Sequence, residues 1–277
     1  MEMNYGLVTP VKNEAENLAR LFKSIESQKI VPRVWLIVEN GSDDGSFEMI
    51  SDLKSRSPLC DRILCVQFTL PGDSYGLGWK YSTVIEHGFE SLKGLDSWNF
   101  LDYLGIVDAD CFPDENYFSD LIGFFHQHKD LGITSGYGFF LDGKYDGENS
   151  TWVRGNCRLW RRECFNQAGY IKGPSADSLS LAKAVSKGWK AFPNPSAKYS
   201  CREMGKKVDY GYYGYSAYYR GIPFSRIVLK SIRLATHLRF GPSLKYLSAY
   251  LKSYFSKLDR VNDPDILNYF SSQKILP

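Results

Sequence analysis

The chain has 277 residues, of which 43% are hydrophobic and 23% charged, and its net charge is +3. This composition is typical of a globular protein and excludes a largely disordered chain. No run of 18 apolar residues and no signal-peptide pattern occurs, which predicts a cytoplasmic protein that does not span a membrane. The six cysteines form no CxxC pair, so neither a disulfide framework nor a zinc site is expected.

Strand-like and helix-like segments alternate over roughly the first half of the chain. Apolar runs typical of buried strands occupy residues 5–9, 34–38, 63–66 and 103–107. Between the first two runs, the i, i+3, i+4, i+7 spacing of an amphipathic helix is occupied by Leu18, Leu21, Phe22 and Ile25. Further helical patterns follow the second, third and fourth runs. This order predicts an α/β fold with a mainly parallel sheet flanked by helices on both faces.

Polar loops follow three of the predicted strands, at residues 10–14, 39–42 and 108–110. In parallel sheets, ligands bind beyond the carboxyl ends of the strands, so the three loops should converge on one edge. Asp108 and Asp110 leave the extended chain on the same side, because they are two residues apart. Mg²⁺ prefers a few carboxylates together with substrate phosphates. The pair therefore predicts a cation and diphosphate site, and a solvated turn or helix N-cap is the alternative.

Residues 138–150 are rich in Gly, Asp, Asn and Tyr without periodicity, which predicts a loop that could order over a substrate. A helical run follows Asp177. Beyond residue 221, two basic amphipathic helices are predicted at about 223–239 and 243–259, separated by Gly241 and Pro242. The segment 210–219 contains six Tyr residues, and it is expected to form either an acceptor-side aromatic surface or part of the core.

Several blocks of this sequence resemble the inverting GT-A family 2 of glycosyltransferases. They are TPVKNEAENL at 9–18, VENGSDDGS at 38–46 and VDAD at 107–110, in the family's order and spacing over about the first 130 residues. GLGWK at 76–80 is similar to the dolichyl-phosphate mannose synthase branch, and NCRLWRR at 156–162 to an acceptor-side segment of many members. Residues 134–138, TSGYG, lack the arginine that this branch carries after its Ser-Gly pair.

The resemblance implies a nucleotide-diphosphate-sugar donor. Its base and ribose would lie near Pro10, Glu14, Glu39 and Asn40. The two glutamate carboxylates can accept hydrogen bonds, and the Asn40 amide can both donate and accept them. Lys80 would add charge beside the phosphates, or it is an exposed helix lysine.

The family also implies a single in-line displacement at the anomeric carbon, assisted by Mg²⁺ or Mn²⁺ on the leaving diphosphate. Asp110 is the expected direct ligand of the cation, and Asp108 is a second ligand or a partner of the ribose.

A sugar-hydroxyl acceptor requires a general base. In many family members a Glu-Asp pair precedes the corresponding helix, but here Ala176 stands at the base position and Asp177 comes one residue later. Asp177 is the only carboxylate in that loop, so it is the predicted base, with helix N-capping as the alternative.

A lipid phosphate would need cations and no base. Four arginines lie within nine residues: Arg154, Arg158, Arg161 and Arg162. They could bind such a phosphate, and a solvated basic turn is the alternative.

The C-terminal segment has a distinct charge. Residues 226–260 contain eight Lys or Arg residues and one acidic residue, Asp259. We expect a GT-A catalytic domain at 1–221, with a nucleotide-sugar part at about 1–130 and an acceptor part at 131–221, followed by a basic amphipathic helical tail at 222–277. The basic and apolar residues of the tail predict peripheral contact at the cytoplasmic face of a membrane. The alternative is that the apolar stripe of the tail packs on the catalytic domain. Nucleic-acid binding is not expected, because no known motif accompanies the basic residues.

Overall fold

The computed structural model describes residues 3–71, 78–145, 152–202, 209–238 and 240–272. The strands in these ranges are β1 Tyr5–Val11, β2 Val34–Glu39, β3 Ile63–Gln67, β4 Tyr103–Val107, β5 Cys111–Pro113, β6 Leu131–Ser135, β7 Tyr137–Phe140, β8 Cys157–Arg161, β9 Lys190–Ala191 and β10 Lys198–Cys201. The α-helices are α1 Ala15–Glu26, α2 Ser46–Arg56, α3 Trp79–Lys93, α4 Tyr117–Gln127, α5 Arg162–Ala168, α6 Ala176–Ser186, α7 Tyr210–Tyr219, α8 Phe224–Leu238, α9 Phe240–Phe255 and α10 Pro264–Ser272.

A seven-stranded sheet in the order β3-β2-β1-β4-β8-β6-β9 forms the centre of the molecule. Its pairs are parallel except at β8, which is antiparallel to both β4 and β6. Alternate residues of β1 face two different apolar layers: Leu7 packs in the layer of α1 and α4, and Val8 in the layer of α3. The predicted α/β fold, a mainly parallel sheet with helices on both faces, is therefore confirmed.

A second sheet of three strands, β5-β10-β7, begins directly after the Asp108 to Asp110 loop. β10 pairs antiparallel with β5 and parallel with β7. Neither β8 nor this small sheet was predicted, because their strands are short and show no clear alternation. Part of the predicted substrate loop is ordered as β7, and residues 146–150 lie outside the described ranges, as do residues 76 and 77 of the GLG segment.

The C-terminal helices pack against the rest of the chain. Tyr246 and Tyr250 of α9 are buried with Tyr218 of α7, and Ile266 of α10 is buried with Leu179 of α6. The break expected at Gly241 and Pro242 falls inside the first turn of α9, a position where a proline is tolerated. α10 was not predicted. No helix in the described ranges is both long and apolar enough to cross a bilayer.

Candidate active site

Asp108 follows β4 directly at the carboxyl edge of the central sheet. Its backbone N–H donates to the carbonyl of Asn156 at 2.8 Å, and the hydroxyl of Tyr81 on α3 donates to its Oδ1 at 2.5 Å. Burial and the nearby Asp110 together raise the pKa of Asp108 to about 8, although the Tyr81 hydrogen bond acts in the opposite direction. Two carboxylates therefore lie close together with too little positive charge to keep both ionised.

Asp110 is next to an arginine that the sequence analysis did not single out. Arg202 follows β10, and its Nη2 lies 3.4 Å from Asp110 Oδ2 and 2.8 Å from Glu14 Oε1. Its backbone N–H also donates to the Asp110 carbonyl at 3.2 Å. The pairing of β10 with β5 brings Arg202 to this position. Arg202 could not be predicted as a site residue because β10 was not recognised as a strand in the sequence.

Glu14 lies where β1 passes into α1, and its side chain is buried. Its carboxylate accepts hydrogen bonds from Asn17 Nδ2 at 2.6 Å and from Arg202. Burial, together with the charge of Asp110, raises the pKa of Glu14, although Asn17 and Arg202 act in the opposite direction. Glu14 and Asp110 thus share one guanidinium as their cation.

Glu39 and Asn40 lie at the end of β2, beside the end of β1. Glu39 Oε1 accepts the backbone N–H of Ser42 at 2.5 Å, and Asn40 Oδ1 accepts the N–H of Leu70 at 3.0 Å. Pro10 is half-buried on β1, where it pairs with Val38. These side chains shape the turn after β2, and they lie on the same sheet edge as Glu14. Lys80 is half-buried in the first turn of α3.

Arg158 and Asp177 approach each other near Asp108. Arg158 pairs with Ile106 of β4, and its Nη1 donates to the backbone carbonyl of Asp177 at 3.2 Å. Gly155 permits this approach, because a Cβ there would lie 2.9 Å from the Asp177 Cβ. Asp177 lies within the first turn of α6, and the N-cap residue is Ser175. The alternative of an Asp177 N-cap is therefore wrong.

The four arginines do not form one cluster. β8 runs antiparallel to β4, so Arg161 lies opposite Tyr103 at the end of β4 farthest from the site. Arg161 donates to the carbonyls of Phe125, His128 and Leu131, and Arg162 to those of Trp98 and Leu101. The expectation that both bind an acceptor phosphate is corrected: they cap carbonyl groups of the fold. Arg154 and Arg158 remain near the site.

Asp108 and Asp110 fit a divalent cation that the phosphates of a substrate would also coordinate. No group of three His, Cys, Asp or Glu side chains suited to a metal exists within the described ranges. Asp108 and Asp110 nevertheless provide carboxylate oxygens whose mutual repulsion a cation would relieve. Such a two-carboxylate set is what Mg²⁺ uses when phosphate oxygens and water complete its coordination.

Residues 7–178 match the family model described as Glycosyl transferase family 2. The chain belongs to this family. The resemblance seen in the sequence is thereby confirmed, and family membership supports glycosyl transfer as the reaction class. No curated protein sequence matches the chain.

Solved structures of GT-A glycosyltransferases share the fold of this family 2 member. One is S. aureus TarS 1-349 in complex with UDP-GlcNAc, with 13% identity, a TM-score of 0.55, and coverage of 97% of this chain and 78% of that one. Another is the mannosyltransferase PcManGT from Pyrobaculum calidifontis in complex with GDP-Man and Mn²⁺, with 16% identity, a TM-score of 0.54, and coverage of 98% and 73%. At these identities the likeness shows the fold alone.

Tyrosines of α7 lie near Asp177 in this family 2 chain, and Trp79 of α3 contacts the same helix. The Tyr212 hydroxyl accepts the N–H of Ser175 at 3.0 Å, and Trp79 Nε1 donates to the Tyr215 hydroxyl at 3.3 Å. Trp79 and Tyr213 are 44% and 39% exposed, whereas Tyr218 and Tyr219 are buried. The core expectation therefore holds for Tyr218 and Tyr219, whereas an acceptor-side role of the exposed Tyr213 stays a prediction.

Proposed function

We propose that the protein transfers a sugar, with inversion, from a nucleotide-diphosphate-sugar to a lipid-linked or saccharide acceptor. One observation carries the proposal: Glu14, Asp108 and Asp110 meet at the carboxyl edge of the sheet, with Asp177 joined to the same site through Arg158. Donor sites of parallel sheets lie at this edge. The UDP-GlcNAc and GDP-Man named for the two neighbours support a nucleotide-sugar as the donor.

On the donor side, Pro10, Glu14, Glu39 and Asn40 would receive the base and ribose, and Lys80 would lie beside the phosphates. Asp110, with Asp108, would hold Mg²⁺ or Mn²⁺, in line with the Mn²⁺ of the mannosyltransferase complex. When bound, the cation supplies positive charge to the departing diphosphate. Arg202 competes for the Asp110 carboxylate, and its guanidinium is suited to the phosphates once released.

On the acceptor side, Asp177 would accept the proton of an attacking hydroxyl as general base. Asp177 is an acidic residue in the first turn of α6, which supports this role. If the acceptor is a polyprenyl phosphate, the nucleophile is already ionised and Asp177 is dispensable. Transfer to such a phosphate is therefore the alternative reaction, and Asp177→Asn separates it from transfer to a hydroxyl.

The C-terminal helices would bring the enzyme to a membrane surface. An outward face of α8 and α9 carries exposed apolar side chains, with Phe240 81%, Leu244 67% and Phe255 76% exposed. Arg233, Lys245, Lys252 and Lys257 are also exposed. Each basic residue near anionic lipid contributes about 1 kcal/mol of attraction. This surface suits peripheral contact at the cytoplasmic face, and a non-enzymatic nucleic-acid binder has no comparable support.

The proposal is tested by screening nucleotide-sugar donors against polyprenyl-phosphate and saccharide acceptors, with Mn²⁺ or Mg²⁺ and with EDTA. We expect cation-dependent transfer, about 100-fold or more slower in Asp110→Asn because the leaving diphosphate loses its counter-charge. Asp61→Asn is the matched control, since Asp61 is exposed after α2 and far from this edge. Near-normal transfer by Asp110→Asn would overturn the cation assignment.

A further inference from the structure

Two arginines near the N-terminal end of α6 donate hydrogen bonds only to backbone carbonyls within the described residues. Arg158 is 1% exposed, and its Nε has no hydrogen-bond partner. Arg220, at the end of α7, donates from Nε to the carbonyl of Ser216 at 3.2 Å, and its guanidinium lies 5.1 Å from the centre of the Phe270 ring. Burying a cation without an anion is costly, so an anion binding here would be strongly favoured.

The start of α6 adds partial positive charge at the same place. Ser175, its N-cap residue, has φ 60° and ψ 48°, a left-handed conformation that costs free energy in a non-glycine residue. Its hydroxyl contacts the Ser216 hydroxyl at 2.6 Å and makes no cap hydrogen bond to the helix. The first-turn N–H groups therefore lack a side-chain cap, and the helix dipole favours an anion beside them.

The charge balance of this region is positive. Burial lowers the pKa of both Arg158 and Arg220, and Asp177 is the main nearby group that opposes this effect for each of them. Lys230 of α8 adds a third cation: its pKa is lowered by burial and by Arg220, and its Nζ lies 5.1 Å from the centre of the Tyr246 ring. Arg158 and Arg220 thus share Asp177 as a nearby carboxylate, and Lys230 adds positive charge beside Arg220, so the net charge of this region is positive.

We propose that the first turn of α6, together with Arg158 and Arg220, binds a phosphate group carried by the acceptor. This inference rests on the proposed glycosyl transfer and narrows its acceptor to a phosphorylated compound. Phosphate fits better than carboxylate, because two guanidinium groups and a helix terminus offer more donors than two oxygens can accept. Arg220 directly follows α7, whose Tyr219 packs with Leu179 of α6, and Lys230 belongs to α8, which packs with α7 and α9.

Two kinds of acceptor share this chemistry. In a polyprenyl phosphate, a phosphate oxygen attacks the anomeric carbon while the bond to the nucleoside diphosphate breaks and its electron pair leaves with the diphosphate. In a sugar or polyol phosphate, a hydroxyl attacks instead and passes its proton to Asp177, while the bound phosphate only positions the molecule. The same donor bond breaks in both cases.

Direct binding of inorganic phosphate, measured by calorimetry without divalent cations or nucleotide, tests the site. We expect Arg220→Gln to bind phosphate at least about tenfold more weakly than the wild type, and Arg220→Lys to recover part of the loss. Arg233→Gln removes an exposed arginine of α8 and should bind phosphate like the wild type. Equal binding by the wild type and a folded Arg220→Gln variant would overturn the site.

Transfer assays then identify the source of the phosphate and separate the two proposals. We expect a polyprenyl phosphate or a sugar phosphate to be used at least about tenfold better than the matching neutral sugar, with acceptor KM raised in Arg220→Gln. Preference for the neutral sugar would contradict the phosphate site while supporting glycosyl transfer. Phosphate binding without transfer to any acceptor, from any donor, would instead contradict the proposed function.

Discussion

At the scale of single residues, the site combines carboxylates and guanidinium groups that depend on one another for charge. Arg202 neutralises Glu14 and Asp110 together, whereas the Asp108 carboxylate, within the described residues, accepts a hydrogen bond only from the Tyr81 hydroxyl. Asp108 is therefore the carboxyl whose protonation responds most strongly to an added cation. Two expectations follow from this arrangement.

Cation binding should release protons and depend on pH. With the pKa of Asp108 raised to about 8 by burial and by Asp110, its carboxyl is mostly protonated at pH 7. A cation that binds the carboxylate must displace this proton, so Mn²⁺ affinity should rise as pH increases from about 6 to about 8 and then level off. Calorimetry in buffers of different ionisation enthalpy measures the released protons. Asp108→Asn should abolish the proton release, and a pH-independent affinity in the wild type would contradict the assignment.

Arg202→Gln should bind Mn²⁺ more tightly than the wild type when no nucleotide is present. The guanidinium is 43% exposed and lies 3.4 Å from Asp110 Oδ2, so it competes weakly for the carboxylate, and its removal should improve affinity about two- to fivefold. Electron paramagnetic resonance of free Mn²⁺ gives the affinity. Arg33→Gln, which removes an exposed arginine before β2, is the control. Weaker Mn²⁺ binding by Arg202→Gln would show that the arginine supports the cation site.

At the scale of elements, close packing of helix on sheet places the site loops. α3 lies against β1 and β2 through Gly88, where a Cβ would come within 2.4 Å of Val8 Cγ1 and 3.0 Å of Val38 Cγ2. α3 also carries Tyr81, the partner of Asp108. The distance between α3 and the sheet therefore affects the stability of the protein and also the position of Tyr81 beside Asp108.

Gly88→Ala should destabilise the protein by about 1–3 kcal/mol, because overpacking outweighs the gain in helix propensity. Gly123→Ala is the matched control, since Gly123 lies inside α4 and a Cβ there meets nothing within 4 Å. That change should stabilise the protein by up to about 1 kcal/mol. Urea unfolding at constant pH measures both changes, and a stabilised Gly88→Ala variant would contradict this account of α3 packing.

At the scale of the whole molecule, the exposed apolar side chains on α8 and α9 form the surface assigned to membrane contact. Leu244→Asp with Phe255→Asp should reduce flotation with anionic liposomes by about tenfold, through lost apolar burial and added repulsion. Phe100→Asp controls for an exposed aromatic residue outside these helices. Equal flotation of the double variant and the wild type would remove the membrane contact. These point variants are preferable to truncation at 221, because Tyr246 and Tyr250 pack against α7.

Much of the fold and part of the site could be read from local pattern. The first four strands are continuous apolar runs and the helices between them have clear amphipathic periodicity, so their order followed from residue spacing alone. Five residues predicted for the donor side lie in loops at one sheet edge, because parallel strands bring successive loops together: Glu14, Glu39, Asn40, Asp108 and Asp110. The packed face of α9 could not be read in this way: Tyr246, Tyr250 and Ser253 are buried, whereas the apolar Leu244 and Phe255 are exposed.

The sequence by itself determined the α/β order, the family and the carboxylates at the sheet edge, because these depend on local spacing. Only the tertiary structure decided which distant cations meet them. The antiparallel direction of β8 carries Arg161 and Arg162 away from the site while keeping Arg158 beside Asp177, and the pairing of β10 brings Arg202 to Asp110. Contacts between residues that are far apart in the chain arise from strand direction and helix packing, and no local pattern encodes either.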